Sequence, residues 1–211
     1  MRAFTFYEFA GFIAPGTLVL AGIAFIFPAV REALFLKDIS VGNLGLFTVL
    51  SYVVGHLVQA LGNVMESLWW WIMGGVPTDW VRTGKRGLLS KPQLDLLRTR
   101  LASVLGIKDG FQMKEISSDD WYAITRQARV VVTKEADIEQ LEAFNGNYGL
   151  NRGLAAALLV IAAGIVIRDL GHWEAALFSM AGALVALLRM HRFAQHYARE
   201  LFVQFLSYNR K

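Results

Sequence analysis

Four stretches of the chain run almost without charge: Phe9–Val30, Val41–Leu61, Leu150–Ile167 and Trp173–Leu188. A helix rises about 1.5 Å per residue, so about 20 apolar residues are needed to cross a hydrocarbon core about 30 Å thick. The pattern predicts four transmembrane helices. The last two are short, with Trp173 and the long side chains of Arg152 and Arg189 reaching the interfaces. Buried helices of a soluble bundle carry polar faces every few residues, and these stretches do not. The first stretch is too long for the apolar region of a signal peptide and only Arg2 precedes it, which predicts a retained helix.

Residues 63–149 are polar enough, and long enough, for a small helical domain. The run Ser90-Lys91-Pro92-Gln93 offers a hydroxyl cap and a proline in the first turn. Leu94, Leu97, Leu101 and Leu105 follow at helical spacing, and Gly106 is a stop signal. A second start lies at Ser117-Ser118-Asp119-Asp120, acidic at the positive end of the helix dipole. That helix carries Trp121, Ile124 and Ala128, although Val130–Thr133 has strand-like composition and allows a break. A third helix, from Lys134 to Phe144, is expected to run through Asn145–Asn151 into span three. Arg189–Tyr208 forms an amphipathic tail with Phe193, Tyr197 and Phe202 near one face, either on the inner membrane surface or under the bundle. Trp69, Trp70, Trp71 and Trp80 open the middle segment and suit the headgroup level, with a base-stacking platform as the sharper alternative.

Charge orients this layout. Of 21 Lys and Arg residues, Arg31, Lys37 and Arg168 alone fall in the linkers after spans one and three. Short cytoplasmic loops collect basic residues, so both linkers are expected outside and both termini inside. Asp38, Asp169 and Glu174 fit the external side. The expected fold is therefore all-α, a four-helix transmembrane protein. Residues 1–62 and 150–188 form transmembrane hairpins, 63–149 a cytoplasmic helical domain and 189–211 an amphipathic tail.

Composition narrows the chemistry. The chain has no cysteine, which excludes disulfides, thiol catalysis and cysteine-held metals. It shows no phosphate-loop, Rossmann, nucleophile-elbow or zinc-protease motif, so no enzyme activity, catalytic residue, metal ligand or cofactor is assigned. Span two carries the most informative polar pattern. Tyr52, His56, Gln59 and Asn63 are spaced four, three and four apart along one helix face. Polar groups in hydrocarbon need partners, so the stripe faces protein, as interhelical hydrogen bonds, or water, as the lining of an oligomeric pore. A catalytic or metal role for His56 lacks a nearby second ligand. Four helices leave little room for an aqueous path, so a channel requires a homo-oligomer, with a tetramer favoured. Glycines at 11, 16, 22, 55 and 62, and the Gly153–Ala157 pair, predict close helix packing, and Pro15 predicts a kink in span one.

Arg82, Lys85, Arg86, Lys91, Arg98, Arg100, Arg126 and Arg129 form the basic set of the middle segment. They serve either anionic headgroups or a phosphate-rich ligand such as a nucleotide or short oligonucleotide. Within residues 63–152 twelve basic residues oppose eleven acidic ones, so the set stands out by its position rather than by net charge.

Three stretches carry a resemblance: Phe6-Tyr7-Glu8-Phe9-Ala10-Gly11, Gly55-His56-Leu57-Val58-Gln59 and Arg189-Met190-His191-Arg192-Phe193. With them the layout resembles the small multi-span membrane effectors of bacterial anti-phage defence. It is nearest the Hailong membrane effectors and more loosely resembles Kiwa and membrane-acting CBASS components. The resemblance lies in arrangement and transfers no site residue. It implies an oligomeric pore regulated through its cytoplasmic segment by a nucleotide or oligonucleotide. The competing expectation is a non-conducting anchor or sensor that recruits a cytoplasmic partner protein.

Overall fold

The computed structural model describes residues 9–34, 41–106, 112–135, 138–168 and 170–207. Arg2, Lys37, Asp38, Asp137, Asp169, Tyr208 and residues 6–8 of the first resemblance stretch lie outside them. The described chain is all-α. Its helices are α1 (Ala14–Ile26), α2 (Pro28–Leu34), α3 (Val41–Met73), α4 (Pro77–Thr83), α5 (Lys91–Leu105), α6 (Ser118–Glu135), α7 (Glu139–Arg168) and α8 (Trp173–Ser207). A single π-turn, Phe9–Ile13, leads into α1. Three helices, α3, α7 and α8, are long and apolar enough to cross a membrane, and the stretch Gly11–Ile26 is a shorter apolar helix.

The first expected span is not one helix to Val30. It ends at Ile26, and Phe27 is extended (φ −118°, ψ 102°) before α2 begins at Pro28. A proline drives the preceding residue out of helical geometry, and Pro28 does so here. The helix signals at Ser90, Gly106 and Ser117 act as read. Ser90 and Gln93 form a reciprocal capping box at the start of α5, and Gly106 closes it in the left-handed region at φ 66°. Ser117 accepts from the Asp120 amide at 3.1 Å and donates to its carboxylate at 2.7 Å. No break occurs at Val130–Thr133: α6 continues to Glu135, because Val132 and Ala128 share its buried face. The third helix does not start at Lys134, which belongs with Glu135 to the end of α6; α7 begins at Glu139 and runs through the Asn145–Asn151 segment without interruption.

The chain divides into two units, Met1–Trp69 with Gly146–His191, and Trp70–Asn145 with Arg192–Lys211. In the first, α3 runs antiparallel to both α1 and α7, and Val19, Val58, Ala156 and Ala157 form a shared core. Glycines set the spacing. A Cβ on Gly16 would lie 1.8 Å from the Ser51 carbonyl oxygen, and one on Gly55 would lie 2.0 Å from that of Phe12. The two backbones are therefore in direct contact at this crossing, as small residues permit in membranes. Ser179 Oγ on α8 donates to the Leu158 carbonyl on α7 at 2.9 Å.

In the second unit Trp80, Trp121, Leu97, Leu101 and Val132 are buried with Leu201, Phe202 and Phe205 of the C-terminal helix. The Trp121 and Phe202 rings stack at 5.8 Å, and Trp121 Nε1 donates to the Thr78 carbonyl. The amphipathic tail is thus a central helix of this unit. Burial of its aromatic residues among α4, α5 and α6 gives the hydrophobic gain that an interfacial helix takes from lipid.

Candidate functional site

The polar stripe of α3 separates into two parts. Gln59 points inward and is buried, whereas Tyr52, His56 and Asn63 are exposed. Gln59 meets a backbone defect that the sequence itself creates. Pro15 has no N–H, so the Gly11 carbonyl four residues earlier lacks its α-helical donor. The π-turn Phe9–Ile13 widens the chain where the proline ring would meet that carbonyl. Gln59 Nε2 donates to Gly11 O and also to Gly149 O on α7, the latter at 3.1 Å. One amide therefore bridges α1, α3 and α7. The fit is tight, because a Cβ on Gly153 would lie 2.6 Å from both Gln59 Nε2 and Pro15 Cγ.

The amide oxygen of Gln59 accepts from Arg152 Nε at 3.1 Å and Nη2 at 2.9 Å. The remaining terminal nitrogen of Arg152 pairs with Glu66, whose second carboxylate oxygen accepts from the Tyr148 hydroxyl. Gly62 leaves room for the arginine stem, with its virtual Cβ 3.2 Å from Arg152 Cγ. Glu66 is thus the counter-ion of Arg152. Side-chain exposure of 18% and 22% makes this an enclosed pair. Low dielectric strengthens such a network when every member is satisfied.

The exposed part is aromatic. His56 stacks on Phe12 at 4.1 Å and meets Tyr52 edge-on at 4.7 Å. Asn63 stands on the exposed side of α3, one turn beyond Gln59. Among the described residues no group of three His, Asp or Glu side chains is placed to hold a metal ion.

In the second unit the basic residues have varied surroundings. Arg82 donates to the Ile116 carbonyl and to Ser118 Oγ, and lies 3.7 Å from the Asp79 carboxylate. Burial raises the Asp79 pKa above 3.8, and the Arg82 charge partly offsets that. Arg86, at φ 58°, lies over the Trp80 ring at 4.1 Å and donates to the Met73 carbonyl. Arg129 pairs with Glu142 at 2.9 Å and lies 6.0 Å from the Tyr197 ring centre, and Arg126 sits 5.8 Å from that of Tyr122. Burial raises the Tyr197 pKa, with Arg129 opposing and Glu142 adding to the shift. Lys85 and Lys91 are exposed, and Arg100 is half-buried with a partner of its own. Arg82 and Arg98 are brought to one shallow cleft together with Asp95 and Lys114, a cation not singled out in the sequence. Of the four expected interfacial tryptophans, Trp70 and Trp80 are buried edge to face and Trp69 Nε1 donates to His191 Nδ1. Trp71 is 79% exposed.

The Gln59–Arg152–Glu66–Tyr148 network was not legible beforehand, since its partners lie 82 to 93 residues apart in the chain. The one local signal was Pro15, which announces an orphaned carbonyl without saying what serves it. No known protein family, curated protein or solved structure matches the chain.

Proposed function

We propose that this protein is a homo-oligomeric membrane channel of four spans, with its second unit on the cytoplasmic side receiving the gating signal. The observation that carries this reading is the exposure of His56 and Asn63 on α3, a helix otherwise flanked outward by Val49, Val53, Leu57, Leu61 and Val64. Polar side chains turned outward on a spanning helix are costly in lipid, which favours their facing water or another protomer. Gln59 is already satisfied within the protomer, so His56 and Asn63 remain for an assembly interface or a wet axis. The cleft holding Arg82, Arg98 and Lys114 gives the second unit an anion-compatible surface for a nucleotide or oligonucleotide. The resemblance in layout supports a role in bacterial anti-phage defence.

Purified protein in liposomes is expected to pass ions in an oligomer-dependent manner, and His56→Leu with Asn63→Leu is expected to abolish the flux. Vesicles that stay ion-tight with and without nucleotides would reject the channel. The second reading, a non-conducting anchor that recruits a cytoplasmic protein, is favoured by the engagement of Gln59 as helix glue. It predicts that the same double variant weakens assembly while vesicles remain tight throughout. Single cysteines placed in the linkers of this cysteine-free chain test the four-span orientation by their labelling from either side.

A further inference from the structure

We propose that Arg152 is a positioning residue that couples α3 and α7 at the level of Glu66 and Tyr148 to the π-turn from which α1 starts. The proposal goes beyond conduction and holds for a channel or an anchor alike.

Three helices continue from the first unit into the second: α3 after Trp69, α7 at Gly146 and α8 after His191. Close to those points they are tied to one another. Glu66 of α3 is bound by Tyr148 and Arg152 of α7, and Trp69 of α3 donates to His191 of α8 at 3.2 Å. The single guanidinium of Arg152 then carries the connection further. One of its terminal nitrogens holds Glu66, while Nε and Nη2 hold the Gln59 oxygen. With its oxygen fixed there, the Gln59 amide has only its nitrogen to present to Gly11 O and Gly149 O. A flipped amide would set N–H groups against the guanidinium N–H groups.

The far end of this chain of contacts is the Gly11 carbonyl, which Pro15 deprives of a helical donor. It is held by Gln59 or it is orphaned, and a buried orphan carbonyl is costly. A shift of α7 along α3 that withdraws Arg152 from Glu66 therefore releases the amide that holds the start of α1. That start is also where Phe12 packs on His56 and on the backbone of Gly55. A disturbance at the Glu66 level thus reaches the α1–α3 crossing through one side chain. Spatial continuity alone does not establish coupling, so the test is energetic.

The test is a double-mutant cycle in the full-length protein in detergent, between Pro15→Ala and Glu66→Gln, reading the unfolding equilibrium. Pro15→Ala supplies an N–H for Gly11 O and makes the Gln59 bond dispensable. Members of one hydrogen-bond network are expected to be non-additive by a factor of about three or more in that equilibrium constant. If Glu66→Gln does not fold, Tyr148→Phe takes its place in the cycle. A second readout separates coupling from loss of stability. A Cβ on Gly11 meets no atom within 4 Å, so Gly11→Cys places a lone thiol on the π-turn of a chain with no other cysteine. Glu66→Gln is expected to change its maleimide labelling rate by about threefold or more, whereas Arg129→Gln, in the second unit, leaves it unchanged. Additive energies, or a thiol rate that does not respond to Glu66→Gln, overturns the proposal. Neither readout involves ion flux, so failure here is distinct from failure of the channel.

Discussion

Gln59 on α3 donates its amide N–H to the carbonyl of Gly11, the group that Pro15 leaves without a helical partner. Gln59→Leu removes that donor and also the acceptor of two Arg152 N–H groups. The expected loss is about 1–3 kcal/mol, because buried polar groups are left unmade rather than exchanged for apolar ones. Adding Pro15→Ala restores a backbone donor to Gly11 and is expected to recover part of the loss. Thermal melts in detergent measure both steps, and a Gln59→Leu variant as stable as the parent would show that the bond contributes nothing.

The α1–α3 crossing makes opposite predictions for two neighbouring residues. Gly55→Ala places a methyl 2.0 Å from the Phe12 carbonyl oxygen, a backbone atom that cannot swing aside. Overpacking of this kind costs about 1–3 kcal/mol. Ser51 is fully buried, and its hydroxyl has no hydrogen-bond partner among the described residues. Ser51→Ala is therefore expected to be neutral or to stabilise by up to about 1 kcal/mol, since it removes an unsatisfied group without adding volume. Melting temperatures that fall equally for both variants would contradict this description of the crossing.

Two ion pairs of the same chemistry are expected to differ by their surroundings. Arg152–Glu66 has side-chain exposures of 18% and 22%, while Arg129–Glu142 has 41% and 43%. Exposed pairs are screened by water and contribute about 0–1 kcal/mol, so Arg129→Gln is expected to be nearly silent. Arg152→Gln strands Glu66 in an enclosed setting and is expected to cost more, on the order of 2 kcal/mol after allowance for partial exposure. Raising the salt concentration should weaken the Arg129 pair first. Equal losses for the two variants contradict the ranking.

The long spans were legible because about 20 uncharged residues leave a helix few alternatives. The helix starts at Ser90 and Ser117 were legible because capping is local, settled within four residues. The break at Phe27 had its signal in Pro28, which the apolar run conceals when hydropathy alone is followed. The fate of the tail was not legible. Spacing shows that Phe193, Tyr197 and Phe202 lie near one face, but a helical period does not say what covers that face. Trp121, some eighty residues earlier, covers Phe202. The same limit applies to the stripe on α3. Period alone places Gln59 beside His56, and only the position of Gly11, Gly149 and Arg152 in space separates their roles.

The C-terminal end of α8 carries a pH dependence that can be assigned to one ring. His196 stacks on Phe144 at 5.3 Å, half-buried, with Arg192 and Arg199 on the adjoining turns. Burial lowers its pKa below 6.5, and the positive charges of Arg192 and Arg199 lower it further. The folded protein therefore holds this imidazole neutral at pH values where the unfolded chain has taken up a proton. Where the unfolded state binds more protons, stability rises with pH. The contribution of His196 is thus complete above the unfolded value of 6.5 and is lost as the pH falls from there through the lower folded value. Melting temperature is expected to drop between about pH 7.5 and pH 5.5, and His196→Gln, which has no proton to take up in this range, is expected to flatten that part of the slope. The two proteins differ at this position alone, so the difference between the two curves isolates this ring. A His196→Gln variant whose curve runs parallel to the parent's places the pH dependence elsewhere.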